Sequence, residues 1–161
     1  MQNPRHVPVE EMECFRKYVE VADWAWDEVE RWKPLAQQTV GSQLIRAGDS
    51  VGANLVEGDG RSTDPDAARF FVIARASARE ARYWLTRAAK RGLIPQDAAE
   101  AKIADLVEAT KMLNGLIAYR RRSGASTPRL GESRDHYDAG PSTSRPGESR
   151  DPGYADPFST P

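Results

Sequence analysis

The 161-residue chain has one cysteine, two histidines and almost no net charge, and no apolar run approaches the length of a membrane span. Each shortage excludes something. Cys14 alone closes no intrachain disulfide, and together with His6 and His136 it falls short of a zinc ligand set, so neither a metal nor any other cofactor is expected. A bilayer span needs roughly 18 or more consecutive apolar residues, and the N-terminal MQNPRHVPVEEMECF lacks the basic-then-apolar order of a secretory signal. A cytoplasmic location without membrane contact is therefore expected. Lysine and arginine number 23 against 24 aspartates and glutamates, for a net charge of −1, so there is no global positive excess to draw the chain onto nucleic acid. Any such surface has to be local.

What is present divides into two parts. Beyond AYRRRSG the composition changes: 20 of the 38 residues from Gly124 to Pro161 are Gly, Pro, Ser or Thr, and the large apolar groups are Leu130, Tyr137, Tyr154 and Phe158. Such a stretch buries too little surface to offset its ordering entropy, so residues 124–161 are expected to be a disordered tail. The tail holds a near-repeat, RLGESRD from Arg129 and RPGESRD from Arg145; two copies rich in Gly and Pro cannot stack a core, which leaves a docking motif or a translated repetitive element as the alternatives.

Residues 1–123 read as one domain of four helices. Met12, Phe15, Val19, Ala22, Trp26 and Val29 recur in steps of three and four, which predicts one apolar stripe on a first helix that Pro34 ends. Leu44, Ala47, Val51 and Leu55 mark a second, from about Thr39 to Glu57, with Gly58 and Gly60 as its left-handed stop. The third enters at Asp64 as N-cap with Pro65 in the first turn, carries Phe70, Ile73, Ala74, Ser77, Ala81, Trp84 and Ala88, and ends near Gly92. The fourth begins near Pro95 and presents Ile103, Leu106, Thr110, Leu113 and Ile117. Short connections and the absence of period-two alternation predict an all-α, antiparallel up-and-down four-helix bundle.

Within the second helix, GDSVG satisfies the G-x-S-x-G pattern of a hydrolase nucleophile elbow, with Ser50 as the nucleophile. That elbow requires a strand before the serine, a helix after it and an imidazole within reach. SQLIRA upstream is helical in pattern, and the two histidines flank the core in sequence, so Ser50 reads as a small residue at a helix contact. Gly48 and Gly52, four apart on one face, let another backbone approach closely, either inside the protomer or at an oligomer interface; each costs about 1 kcal/mol of helix propensity relative to Ala.

The run QLIRAGDSVGANLVEGDGRS, with FFVIARASAREARYWL and KMLNGLI after it, resembles the bacterial four-helix-bundle family whose members include proteins encoded by intervening sequences in 23S rRNA genes. The resemblance covers about Val9 to Tyr119 and is most specific at Arg46, Ser50, Ala53, Asn54, Glu57, Gly58, Glu80 and the KMLNGLI segment from Lys111. It implies an antiparallel bundle that assembles as a homo-oligomer, often a pentamer. A related branch, the accessory protein of diversity-generating retroelements, implies RNA, DNA or a reverse transcriptase as partner. Those accessory proteins are strongly basic, whereas residues 1–123 carry 19 basic and 18 acidic side chains.

The resulting expectation is a non-enzymatic oligomeric adaptor that contacts nucleic acid, or a nucleic-acid enzyme, through a basic ridge on the third helix at Arg75, Arg79, Arg82 and Lys90. The alternative is a self-assembling interaction module with no nucleic-acid role; no small-molecule substrate is evident. The first helix carries eight acids, so the ridge either binds phosphate or is neutralised by that helix, within a protomer or across a subunit interface. Trp24, nearly opposite the first stripe, is read as an oligomer contact, with a tolerated surface tryptophan or a rotated helix as the alternatives. Arg46, Asn54, Glu57 and Glu80 are read as a structural polar network in preference to a catalytic cluster, which makes Glu57→Ala destabilising.

Overall fold

The structure, a computed structural model, describes residues 7–126. Among the described residues there are four long helices and no strand: α1 (Glu13–Glu30), α2 (Ser42–Asp59), α3 (Asp64–Lys90) and α4 (Gln96–Ser126). The last helix continues past the expected domain boundary at residue 123. His6, His136 and the tail repeat lie outside the described residues.

Local chemistry sets each junction. After α1 the chain turns at Trp32 and Lys33, and Pro34 sits in the first position of a helical turn, Pro34–Ala36, where its missing N–H costs nothing. That turn passes through a π-helical segment, Gln37–Gly41, into α2. The Gln37 side chain donates to the carbonyls of Val29 (3.2 Å) and Glu30 (2.9 Å), satisfying the open end of α1. Gly41 lies against Val29, where a Cβ would stand 2.5 Å from Val29 Cγ1. At the α2–α3 junction the N-cap is Thr63 and not Asp64, its hydroxyl accepting from the Asp66 N–H at 3.3 Å. Gly58 and Gly60 do not form a left-handed stop: Gly58 is inside α2, and Gly60 has φ −74°. Among the described residues only Gly92 has positive φ, +67°. There Leu93 N–H bonds Ala88 O (3.0 Å) and Gly92 N–H bonds Ala89 O (2.9 Å), the pairing of a Schellman stop.

The helices pack in a ring, α1 on α2, α2 on α3, α3 on α4 and α4 back on α1, which puts α1 and α3 at diagonal corners. Tyr18, Leu44, Leu55, Phe71, Leu85, Leu106 and Leu113 fill the interior. Buried alanines at 67, 74, 78, 81 and 88 let α3 come close to its neighbours. Tyr18 brings a hydroxyl inside, and it bonds Thr110 Oγ1 at 3.0 Å.

The expected stripes hold on α2, where Leu44, Ala47, Val51 and Leu55 are all buried, and less well elsewhere. On α1 the buried row is Cys14, Tyr18, Val21, Ala25 and Val29, about one position from the expected one, and Trp26 is 57% exposed. The reason is that α1 touches two helices. Phe15 and Ala22 lean toward Gly52 and Gly48 of α2, while Lys17 reaches Glu108 and Trp24 lies under Lys102 on the α4 side, so the row between those flanks is the one buried. On α3 the large side chains fully buried are Phe71 and Leu85; Phe70 and Trp84 are half-buried and Ile73 is exposed.

Candidate functional site

Ser50 lies in the middle of α2, with helix on both sides. Its Oγ accepts from Asn54 Nδ2 at 3.1 Å and is 3.0 Å from Ser77 Oγ on α3. Ser77 donates to Ile73 O (3.2 Å), so the Ser50 proton is committed to the Ser77 oxygen. Asn54 also bonds Ser50 O at 2.7 Å. The GDSVG segment is therefore a polar rivet between two helices, and its hydroxyl already has both a donor and an acceptor partner.

The four polar residues expected to form one network occupy separate local groups. Asn54 belongs to the Ser50–Ser77 rivet. Glu57 is exposed and pairs with Arg61 one turn on. Glu80 accepts from Trp84 Nε1 at 3.4 Å. Arg46 makes no ion pair among the described residues; with Glu80, Ser50 and Asp49 it edges a shallow cleft of about 430 Å³ between α2 and α3. An exposed pair four apart on a helix contributes about 0.5 kcal/mol or less, so the expected destabilisation on removing Glu57 loses its basis.

A clamp that the sequence did not reveal closes one end of the bundle. Arg120 near the end of α4 bonds Asp59 at the end of α2 (3.3 Å) and Asp64 at the start of α3 (3.0 Å), with 17% of its side chain exposed. Asp59 also accepts the Val9 N–H at 3.1 Å, tying the N-terminal segment to the same point. Arg120 had no distinctive signal, because it stands first in a run of three arginines whose helix-terminal position already favours cations.

Gly48 and Gly52 face α1 of the same chain: a Cβ on Gly48 would sit 3.4 Å from Ala22 Cβ, and one on Gly52 3.8 Å from Phe15 Cε2. Trp24 is half-buried against the core with Lys102 Nζ 5.8 Å from its ring centre, so the exposed tryptophan of α1 is Trp26.

The basic ridge lies along the outer groove between α3 and α4. Arg75 donates to Asn114 Oδ1 across that groove at 2.9 Å, a neutral partner that leaves its charge intact. Arg79 and Arg82 are exposed, make no ion pair among the described residues, and line a cleft of about 330 Å³ with Tyr83, Thr86 and Ile103. Toward the Arg120 end a second cleft, of about 590 Å³, has Arg69 and Arg121 at its edge over Ala68, Val72 and Ile73. Among the described residues no acidic side chain lines either cleft. Lys90 is exposed in the last turn of α3. The ring order places the acids of α1 at the corner diagonal to the ridge, and among the described residues no ion pair joins the two. Tyr83 is the member of this surface that sequence reasoning missed; its place in ARYWL, between Arg82 and Trp84, was the available signal.

Among the described residues three groups have shifted titration, and one of them is Lys17, whose ammonium is raised above its ordinary value by its bond to Glu108. Burial pushes the Tyr18 hydroxyl up to about 12, against the opposing pull of its bond to Thr110. Burial likewise raises the Cys14 thiol above its ordinary value, which keeps it protonated and unreactive. Among the described residues no cluster of His, Cys, Asp and Glu is placed to hold a metal ion, and no helix is long and apolar enough to cross a membrane.

Residues 10–115 match the family described as 23S rRNA-intervening sequence protein. Among solved structures, the crystal structure of a protein of unknown function from the S23 ribosomal protein family of Bacteroides thetaiotaomicron is similar at 24% identity, with a TM-score of 0.58, over 65% of this chain and 97% of that one. At that identity the likeness concerns the fold. No curated protein matches the chain.

Proposed function

The chain belongs to the 23S rRNA-intervening sequence protein family, and on that premise we propose that it is a non-catalytic helical adaptor that binds nucleic acid along the α3–α4 groove. The observation that supports this most is the placement of Arg69, Arg79, Arg82 and Arg121 at the edges of two clefts that no acid among the described residues lines, while the acids of α1 stand at the far corner of the bundle. Counterion release needs only a local array of cations, and a near-neutral chain can supply one if its opposite charges are segregated. The Ser50 hydroxyl, committed on both sides, favours a binding role over hydrolysis.

Fluorescence anisotropy with labelled RNA and DNA across a salt titration tests the proposal, comparing the natural chain with an Arg79→Glu/Arg82→Glu variant. Binding at low salt, weakened in the variant with a shallower salt slope, is the expected result; no binding of either polymer at low salt overturns it.

The same charge segregation favours a second reading, self-assembly in which α1 of one copy meets α3 of another, with the exposed Trp26 at the contact. This is where the homo-oligomer expected from the resemblance, pentameric or otherwise, belongs. Light scattering decides it: a species larger than one chain that dissociates as salt rises supports assembly, and a monomer at all concentrations removes it.

A further inference from the structure

We propose that the Arg79–Arg82–Tyr83 cleft is a single-strand site, in which the two guanidiniums hold phosphate oxygens and the Tyr83 ring stacks on an unpaired base. This rests on the reading that the α3–α4 groove binds nucleic acid, and it names the form of nucleic acid recognised.

Three observations on the cleft carry it. Arg79 and Arg82 lie less than one helical turn apart, exposed and without an ion pair among the described residues, so neither has to break a bond to take a phosphate. Tyr83 is 55% exposed, and its T-shaped contact with Trp84, centroids 5.1 Å apart and planes at 75°, braces the ring. A braced ring loses little conformational freedom when a base settles on it. Ile103 of α4 supplies an apolar wall opposite, and the Thr86 hydroxyl, which donates to Arg82 O at 2.9 Å, keeps its oxygen free to accept.

Two cations, a flat aromatic ring and a neighbouring acceptor together complement one nucleotide of an unpaired strand, with its phosphate, its base face and a base or sugar donor. In a duplex the base faces are stacked inside and only phosphates and groove edges are offered, so Tyr83 would have nothing to stack on. The cations continue beyond the cleft on the same helix face, through Arg75 on one side and Lys90 on the other, over about 22 Å at 1.5 Å per residue. That length accommodates several nucleotides, with the phosphates following the arginines and one base anchored at Tyr83.

The test uses the full chain with four labelled oligonucleotides of one length: single-stranded RNA, single-stranded DNA, the duplex of the same sequence, and a single strand whose bases are abasic. Tyr83→Leu and Arg79→Gln/Arg82→Gln are compared with the natural chain after circular dichroism confirms that each is folded. Tyr83→Leu is expected to weaken single-strand binding by about tenfold, the scale of one lost base stack, and to leave duplex and abasic binding unchanged. The arginine pair is expected to weaken all four and to flatten the salt dependence.

Equal binding of normal and abasic strands, or no effect of Tyr83→Leu, overturns the single-strand site while leaving phosphate binding by the groove intact. Failure of every oligonucleotide at low salt overturns both readings. Salt-sensitive self-association that Arg79→Gln/Arg82→Gln abolishes, with no oligonucleotide bound, shows that the cleft meets a second copy and also overturns the proposal.

Discussion

Gly58 of α2 and Phe71 of α3 meet so closely that a Cβ on Gly58 would stand 2.7 Å from Phe71 Cε1 and 2.8 Å from its Cδ1. Phe71 is fully buried, so the ring has nowhere to retreat. Gly58→Ala gains about 1 kcal/mol of helix propensity but incurs an overpacking cost of about 1–3 kcal/mol, and the net effect is a loss of stability. Gly52→Ala, facing an ordinary 3.8 Å contact with Phe15, should hold or raise stability by up to about 1 kcal/mol. Urea denaturation of the two variants checks this contrast, and a Gly58→Ala protein more stable than the natural one would refute it.

Removing the Arg120 guanidinium leaves Asp59 and Asp64 facing each other at the end of the bundle with 11% and 26% of their side chains exposed. Arg120→Met is expected to cost about 2 kcal/mol, below the range for a wholly buried pair because solvent still screens this one. Arg121→Met, at an exposed neighbour, should change stability by less than about 0.5 kcal/mol. Equal melting temperatures for the two variants would show that the clamp contributes nothing.

Tyr18 gives the fold an alkaline limit. Its proton is held to about 12 in the folded chain against 10.0 for the free side chain, so the folded state binds more protons than the unfolded state in that window. The contribution is complete below pH 10 and is lost as pH rises toward 12. Two pKa units correspond to about 2–3 kcal/mol. Tyr18→Phe should therefore melt somewhat lower at pH 7, having lost the bond to Thr110, yet lose less stability than the natural chain between pH 9 and 11.5. Parallel pH profiles for the two proteins would contradict this.

The two tryptophans of α1 should separate in the same way. Trp24→Ala removes a ring packed on the core and is expected to cost about 2 kcal/mol, less than truncation at a fully buried site. Trp26→Ala removes an exposed ring, and its effect should appear in light scattering and not in the melt of the isolated chain. A large drop in melting temperature for Trp26→Ala would mean that α1 is turned differently in solution.

Much of this was legible in the residues themselves. The buried line of α2, Leu44 to Leu55, was readable because that helix has one apolar row with polar residues and glycines around it. The lines of α1 and α3 were less so, since each has two apolar rows about 100° apart and periodicity alone does not choose between them. Trp24 was placed outward for that reason, and it is Trp26 that faces water. Of the candidate site, Arg75, Arg79 and Arg82 were identifiable from their spacing. Tyr83 is marked in the sequence only by its place beside Arg82, and its part in the site comes from the cleft that it shares with Thr86 and Ile103.

Sequence by itself determined the helical class, the four long apolar-patterned segments, the placement of the GDSVG match inside a helix and the separation of acids onto α1 and bases onto α3. These follow from composition and from spacing along one chain, which a helix converts directly into faces. Only the tertiary structure decided which row of α1 is buried, that Gly58 receives Phe71, that Arg120 joins Asp59 and Asp64, and that the acidic and basic helices stand diagonally apart. Those outcomes depend on the order in which helices close the ring, and neighbours across a bundle are set by packing between segments, which no single segment encodes.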